Sequence, residues 1–219
     1  MPAAPPPPAR IPGECRLLAA VALSVLLGAC ALPPAPPPPP PRDGAFDKVM
    51  SVDAFDNELL SRAILYQSNV VRMAHGVPPL APSPALDAAA DEQAAYMALA
   101  LQAEHDNPFP HRHTVIDRVE RAGLNGTLVG ENAIMMPATR LAADAGPAYT
   151  YATYAAFLVE GWMNSPDHRA NLLERRFTYL GCGARLAHGF HRGDVSVFAT
   201  QVFFLPFQGD PGAGRGAEQ

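Results

Sequence analysis

Three stretches of the chain place apolar side chains at helical spacing. In residues 55–75 they recur every three or four positions, which predicts an amphipathic helix. Residues 84–104 repeat this pattern in an alanine-rich segment, and Ser83 followed by Pro84 suits the start of a helix. Residues 149–163 carry a third stripe, which contains the chain's single tryptophan. The first part of the folded region is therefore predicted to be mainly helical.

The other predicted elements are shorter, and the last two form a hairpin. Residues 114–122 predict a short helix, and residues 127–135 predict a strand. Two stretches contain alternating or continuous apolar residues, 177–187 and 194–205. Turn residues that include glycine separate them, which predicts two antiparallel strands. Helices followed by a terminal hairpin indicate an α+β fold.

The N-terminus has the pattern of an export signal. Residues 17–29 form an apolar run of thirteen that follows Arg10 and Arg16. A membrane span needs about 20 residues, so the run is typical of a secretory signal peptide. It ends in Leu27-Gly28-Ala29-Cys30, which resembles a bacterial lipobox and predicts cleavage before a lipidated Cys30. An ordinary signal peptide that ends near a cysteine is the alternative.

Proline is concentrated near this N-terminus. Fourteen of the 25 prolines fall within residues 1–41. The run after Cys30 predicts an extended polyproline II segment, suited to a stiff tether. The alternative is a proline-rich recognition ligand. We expect four segments: a signal peptide (1–29), the lipidated cysteine with its tether (30–50), a folded domain (51–207) and a flexible tail (208–219).

Charge and cysteine content exclude two classes of protein. Sixteen basic residues against 21 acidic ones give a formal net charge of −5, and no basic run is present, so nucleic-acid binding is not expected. Cys15, Cys30 and Cys182 cannot form a disulfide framework. Cys182 lies between two glycines in a predicted strand and lacks the basic neighbours of a reactive thiol, so we expect it to be buried and inert.

One local stretch could present a chemically active histidine. Ser165-Pro166-Asp167-His168 has the residues preferred at a helix start, and His168 falls at the third helical position. The positive helix end disfavours imidazolium, which would keep His168 neutral and able to accept a proton or a metal. The alternative is a surface histidine next to a good helix cap.

A second candidate is the pair His111 and His113. Alternate residues share a face of an extended strand, so the two imidazoles could bind one metal. Pro108 and Pro110 favour a loop without that role. The other histidines outside the predicted site are expected to have no function: His75, His188 and His191.

An ordered set of motifs spans residues 55–205. It consists of Asn69-x-x-Arg72-x-x-x-Gly76-x-x-x-Leu80, His105, Gly130-Glu131-Asn132, the run from Trp162 to Leu173, Phe177, Gly181, Gly183 and Thr200-Gln201-Val202-Phe203. The set resembles the CAP superfamily, the SCP-like group of cysteine-rich secretory, antigen and pathogenesis-related proteins, in its bacterial lipoprotein form.

This resemblance implies a fold and a site. The fold is a three-layer α-β-α sandwich around a mostly antiparallel sheet, and the site is a cleft containing His105, Glu131 and His168. In several members the cleft binds a divalent metal, often zinc. Two imidazoles and a carboxylate would leave an open coordination position, or could act as general acid and base. Ser165 stands where other members carry a second acid, and residues 135–150 form an insertion that covers the cleft or lies on the surface.

The resemblance leaves three functions open, because the family has no single agreed catalytic activity. The first is a binding or structural module at the cell envelope. The second is a metal-assisted hydrolase of envelope peptide or glycan, with His105, Glu131 and His168 as its catalytic residues. The third is capture of a lipid or sterol-like ligand.

The expected location follows from the lipobox. The chain would be attached to the membrane through its lipid, with an unidentified envelope lipid, glycan or protein as partner. Ala31 follows the cysteine, and retention at the inner membrane usually requires aspartate there. We therefore expect the outer membrane in a Gram-negative source, and a secreted protein if no anchor is attached.

Overall fold

The structure is a computed structural model that describes Met1 and residues 41–138, 148–189 and 195–207. From residue 41 onward these residues belong to one compact unit, Pro36–Gln219. The predicted signal peptide, Cys30 and the tail from residue 208 lie outside the described residues. None of the helices in the described ranges has the length and apolar character needed to span a membrane.

The described part of the chain forms five α-helices. Side chains cap several of the N-termini: the side chain of Ser83, at the predicted helix start, accepts from the backbone N–H of Leu86, and that of Asp56 accepts from the N–H of Leu59. Thr114 and Asp117 form a reciprocal capping box. The helices are α1 (Asn57–Ala74), α2 (Pro84–Ala100), α3 (Val115–Arg121), α4 (Tyr151–Met163) and α5 (Pro166–Leu173).

Four strands form one sheet. They are β1 (Ala81–Pro82), β2 (Gly126–Pro137), β3 (Tyr179–His188) and β4 (Val195–Pro206). The spatial order is β1-β3-β4-β2; β4 pairs antiparallel with both neighbours, and β1 pairs parallel with β3. The predicted α+β class and the β3–β4 antiparallel pair are confirmed.

Both faces of the sheet are covered by helices. Alternate residues of β4 belong to different hydrophobic clusters: Val197 and Phe203 pack with α1 and α4, whereas Val202 and Phe204 pack with α2 and α3. This alternation follows from the two-residue period of a strand. The helices therefore lie in two layers on either side of the sheet, which confirms the three-layer α-β-α sandwich.

Two local features differ from the sequence expectation or extend it. The helix predicted over 84–104 ends at Ala100, because Leu101 adopts a left-handed conformation with φ of 55°. Residues 44–47 form a short 3-10 helix, and Phe46 from this turn is buried in the cluster that contains α1 and α4. The described end of the segment predicted as tether thus packs on the domain.

Candidate functional site

The fold brings the three predicted site residues together from distant parts of the sequence. His105 lies in the loop after α2, Glu131 lies on β2, and His168 lies in the first turn of α5. His105 Nδ1 is 2.9 Å from Glu131 Oε1. The ring centroids of His105 and His168 are 6.3 Å apart, with 51° between the ring planes. The two imidazoles are therefore neighbours whose ring planes are tilted relative to each other.

Glu131 is buried and uses both of its carboxylate oxygens. Oε1 contacts His105, and Oε2 accepts a hydrogen bond from Arg118 Nη2 at 2.5 Å. The hydrogen bond that His105 donates to Glu131 raises the pKa of His105, against the opposing effect of burial. An ionised carboxylate accepts only, so Nδ1 of a neutral His105 carries the proton and Nε2 is left to a ligand. More than half of the His105 side chain is exposed, at 55%.

His168 has a different environment. It is half-buried, and its pKa is lowered by burial and then by the charge of His105, with Asp167 acting in the opposite direction. The predicted neutral state of His168 agrees with this direction, although burial rather than the helix end is the leading cause. Ser165 occupies the N-cap position of α5 without a side-chain cap hydrogen bond.

Two asparagines hold α5 against β2. Asn132 Nδ2 donates to the carbonyl oxygen of His168 and to Gln201 Oε1, both at 3.0 Å. Asn171 Nδ2 donates to Asn132 Oδ1 at 3.0 Å and to the carbonyl oxygen of Glu131 at 3.1 Å. These bonds fix the first turn of α5, and with it His168, relative to Glu131.

Sequence reasoning gave these asparagines no role. Both were part of the motif set, and Asn132 carried a signal of its own, because it precedes the apolar residues 133–136. A buried polar group must find partners, so an asparagine between core positions indicates a hydrogen-bonding network. Arg118, which contacts Glu131, was not singled out at all.

The other candidates do not join the cleft group. His111 has a positive φ of 60°, and His113 Nδ1 is 3.3 Å from the carbonyl oxygen of Asn107, in the loop that the prolines predicted. Cys182 is buried, and burial raises the pKa of its thiol, as expected of an inert cysteine. In the described ranges no three histidine, cysteine or acidic side chains are grouped so that they could hold a metal ion.

Comparison with known proteins identifies the family. The family model described as CAP, Cysteine-rich secretory protein family, matches residues 65–203. The chain belongs to the CAP family. The match contains all three cleft residues, so the cleft is built by the CAP domain itself. A comparison with curated proteins found no significant match.

Two solved structures resemble this CAP domain. One is an extracellular protein containing an SCP domain from Bacillus anthracis str. Ames, with 27% identity, a TM-score of 0.51 and coverage of 68% of this chain and 41% of that one. This chain therefore spans less than half of that protein. The other is an outer surface protein from Borrelia burgdorferi, with 15% identity, a TM-score of 0.50 and coverage of 70% and 97%, which supports the fold alone.

Proposed function

We propose that this protein is a lipid-anchored CAP-domain protein of the bacterial cell envelope and that the imidazoles of His105 and His168 hold a divalent metal ion. The observation that carries the metal site is the close approach of the two rings, whose centroids are 6.3 Å apart although they lie on two different elements. Imidazole suits zinc and similar divalent ions. The metal would make the cleft a binding module for an envelope ligand.

The side-chain atoms available in the cleft favour a metal site with two protein ligands, the two histidines. Both oxygens of Glu131 are engaged, one by His105 and one by Arg118. Glu131 therefore suits the position behind a ligating histidine, where a carboxylate orients the ring and increases its basicity. Coordination by Glu131 itself, the three-ligand prediction, would have to use a second lone pair on an oxygen that already contacts His105 or Arg118.

The chain's own residues would leave part of the metal's coordination sphere to solvent or ligand. When bound, a divalent ion supplies a positive charge that polarises an oxygen of that ligand. His105 would bind through Nε2, because Glu131 holds Nδ1. His168 would bind as a neutral imidazole, in agreement with its lowered pKa. A site with two protein ligands is expected to exchange its metal, unlike the closed four-ligand sites that stabilise folds.

An envelope location is supported by the N-terminal sequence and by the named relatives. The apolar run, the lipobox-like motif and the proline-rich segment follow one another in the order expected for an anchored protein. One structural relative is described as extracellular and another as an outer surface protein. We infer the same side of the membrane for this chain.

Zinc titration tests the proposed metal site. The purified chain should bind one zinc ion in a saturable manner by calorimetry, and EDTA should remove it. His168→Gln should weaken binding on the order of 100-fold or more, since losing a ligand costs more than the 10–100-fold typical of an outer-shell residue. His75→Gln is the matched control, because His75 is exposed at the end of α1. Equal binding by the His168 and His75 variants would refute the site.

Replacing Cys30 tests the anchor. In a bacterial host the unaltered chain should incorporate labelled palmitate and partition into the detergent phase. Cys30→Ser should lose the label and accumulate as the uncleaved precursor, because lipidation at this thiol precedes cleavage. Cys15→Ser, within the predicted signal peptide, is the control and should keep the label. Unchanged labelling in Cys30→Ser would show that the motif does not function as a lipobox.

A further inference from the structure

The guanidinium of Arg118 is fully buried behind the cleft. Arg118 lies on α3 and is 0% exposed. Its Nη2 donates to Glu131 Oε2 at 2.5 Å, and its Nη1 donates to the carbonyl oxygen of Arg112 at 2.8 Å. Longer contacts join Nη1 to the carbonyl oxygens of His105 at 3.3 Å and His113 at 3.4 Å. One side chain therefore joins the carboxylate to both ends of the loop that carries His105.

Burying a guanidinium is costly unless its charge and its donors are compensated. Here the carboxylate of Glu131 balances the charge, and the loop carbonyls accept most of the remaining hydrogen bonds. The loop is also closed by a backbone bond from Asn107 N–H to the carbonyl oxygen of His113 at 3.0 Å. The position of His105 is thus coupled to Arg118 through its backbone and through Glu131.

We infer that Arg118 is a positioning residue that fixes how Glu131 meets His105. By occupying Oε2, the guanidinium turns Oε1 toward Nδ1 of His105. An acceptor at Nδ1 selects the Nδ1–H tautomer, which leaves the lone pair on Nε2 facing the cleft. The consequence for metal binding rests on the proposed function, whereas the tautomer is a property of the metal-free protein.

Glu131→Gln gives the sharpest test, because an amide has two different ends. Arginine only donates, so Arg118 should hold the amide oxygen and turn the NH2 group toward His105. Nδ1 must then accept, and the proton moves to Nε2. If Arg118 did not set the orientation, the amide would rotate, its oxygen would meet Nδ1–H, and the tautomer would stay unchanged.

The readout is the pair of imidazole 15N shifts of His105 in the intact, metal-free chain, recorded at a pH high enough that the shifts no longer change and the ring is neutral. The unaltered chain should show protonated Nδ1, and Glu131→Gln should show protonated Nε2. An unchanged tautomer in this variant would overturn the inference. Absence of zinc binding by the unaltered chain would refute the proposed function and leave this result intact.

Arg118→Lys provides a second test by a different change. An ammonium lacks the five donors and the rigid fork of a guanidinium, so it cannot reproduce the full set of contacts to Glu131 and the loop carbonyls. We expect a mixed His105 tautomer and zinc affinity reduced about 10–100-fold, the range for an outer-shell residue. Arg121→Gln is the control, since Arg121 is an exposed residue of the same helix paired with Glu92. A folded lysine variant with the parent tautomer and affinity would contradict the assignment.

Discussion

Replacing Gly181 by valine should lower the free energy of unfolding by about 3 kcal/mol or more, because α2 lies directly on this point of β3. A Cβ atom at position 181 would lie 2.1 Å from the carbonyl carbon of Leu86 and 2.4 Å from the backbone nitrogen of Asp87. These are backbone atoms of a helix, so no side-chain rotation can remove the overlap. The helix would have to move away from the sheet and lose apolar contacts along its length.

The same contact continues one turn along α2. A Cβ at Gly183 would lie 2.4 Å from the backbone nitrogen of Asp91. Side chains at positions 181 and 183 point to the same face of the strand. We therefore expect Gly183→Val to have an effect of similar size. The two glycines let the alanine-rich face of α2 approach the sheet at backbone distance.

Thermal unfolding followed by circular dichroism measures this effect. For a chain of this size, 3 kcal/mol corresponds to a fall in melting temperature of roughly 6–12 °C. Gly44→Ala is the control, because a Cβ there would have nothing within 4 Å and the change should stay within about 0.5 kcal/mol. A melting temperature for Gly181→Val equal to that of the control would contradict the proposed close approach.

Helices and strands could be predicted from the sequence where the spacing of apolar residues repeats over enough positions. The helices of 18 and 17 residues each carry an extended apolar stripe, and their start signals are local. The two residues of β1 carry no period, so nothing in the sequence distinguishes this strand from a loop. The end of α2 at Leu101 was missed because a left-handed residue other than glycine leaves no clear sequence signal.

The cleft residues could be predicted only in part. His105, Glu131 and His168 followed from the family resemblance, and the fold brings them together. Arg118 could not be found in this way, because a charged residue in a short amphipathic helix usually faces solvent. Its burial depends on loop carbonyls supplied by residues 105–113, and that arrangement exists only in the folded chain.

The contact of α2 with β3 also contains a half-buried carboxyl group, that of Asp87. Asp87 accepts a hydrogen bond from the backbone N–H of Cys182 at 2.8 Å. Burial raises the pKa of Asp87 to about 6; the hydrogen bond from Cys182 opposes this, and the charges of Glu58 on α1 and Asp91 on α2 add to it. Asp91 is itself paired with Arg185 of β3. In the described part of the chain, Asp87 forms no ion pair with a basic side chain.

This raised pKa should make the fold less stable as pH increases. The folded chain holds the Asp87 proton up to about pH 6, whereas the unfolded chain releases it near the ordinary value of 3.8. The stabilisation is complete below pH 3.8 and is lost as pH rises through 6. This difference between the folded and unfolded pKa values of Asp87 corresponds to a change of at most about 3 kcal/mol in the free energy of unfolding.

Asp87→Asn should abolish this dependence, because the amide is neutral throughout and its oxygen can still accept from the N–H of Cys182. Urea unfolding should give nearly equal stabilities for the variant and the parent at pH 3, and a variant more stable by up to about 3 kcal/mol at pH 7. Comparing the two chains cancels the titration of their other carboxyl groups. Asp53→Asn, at an exposed position, should follow the parent at every pH. Parallel curves for Asp87→Asn and the parent would mean that Asp87 ionises in the folded chain as readily as in the unfolded one.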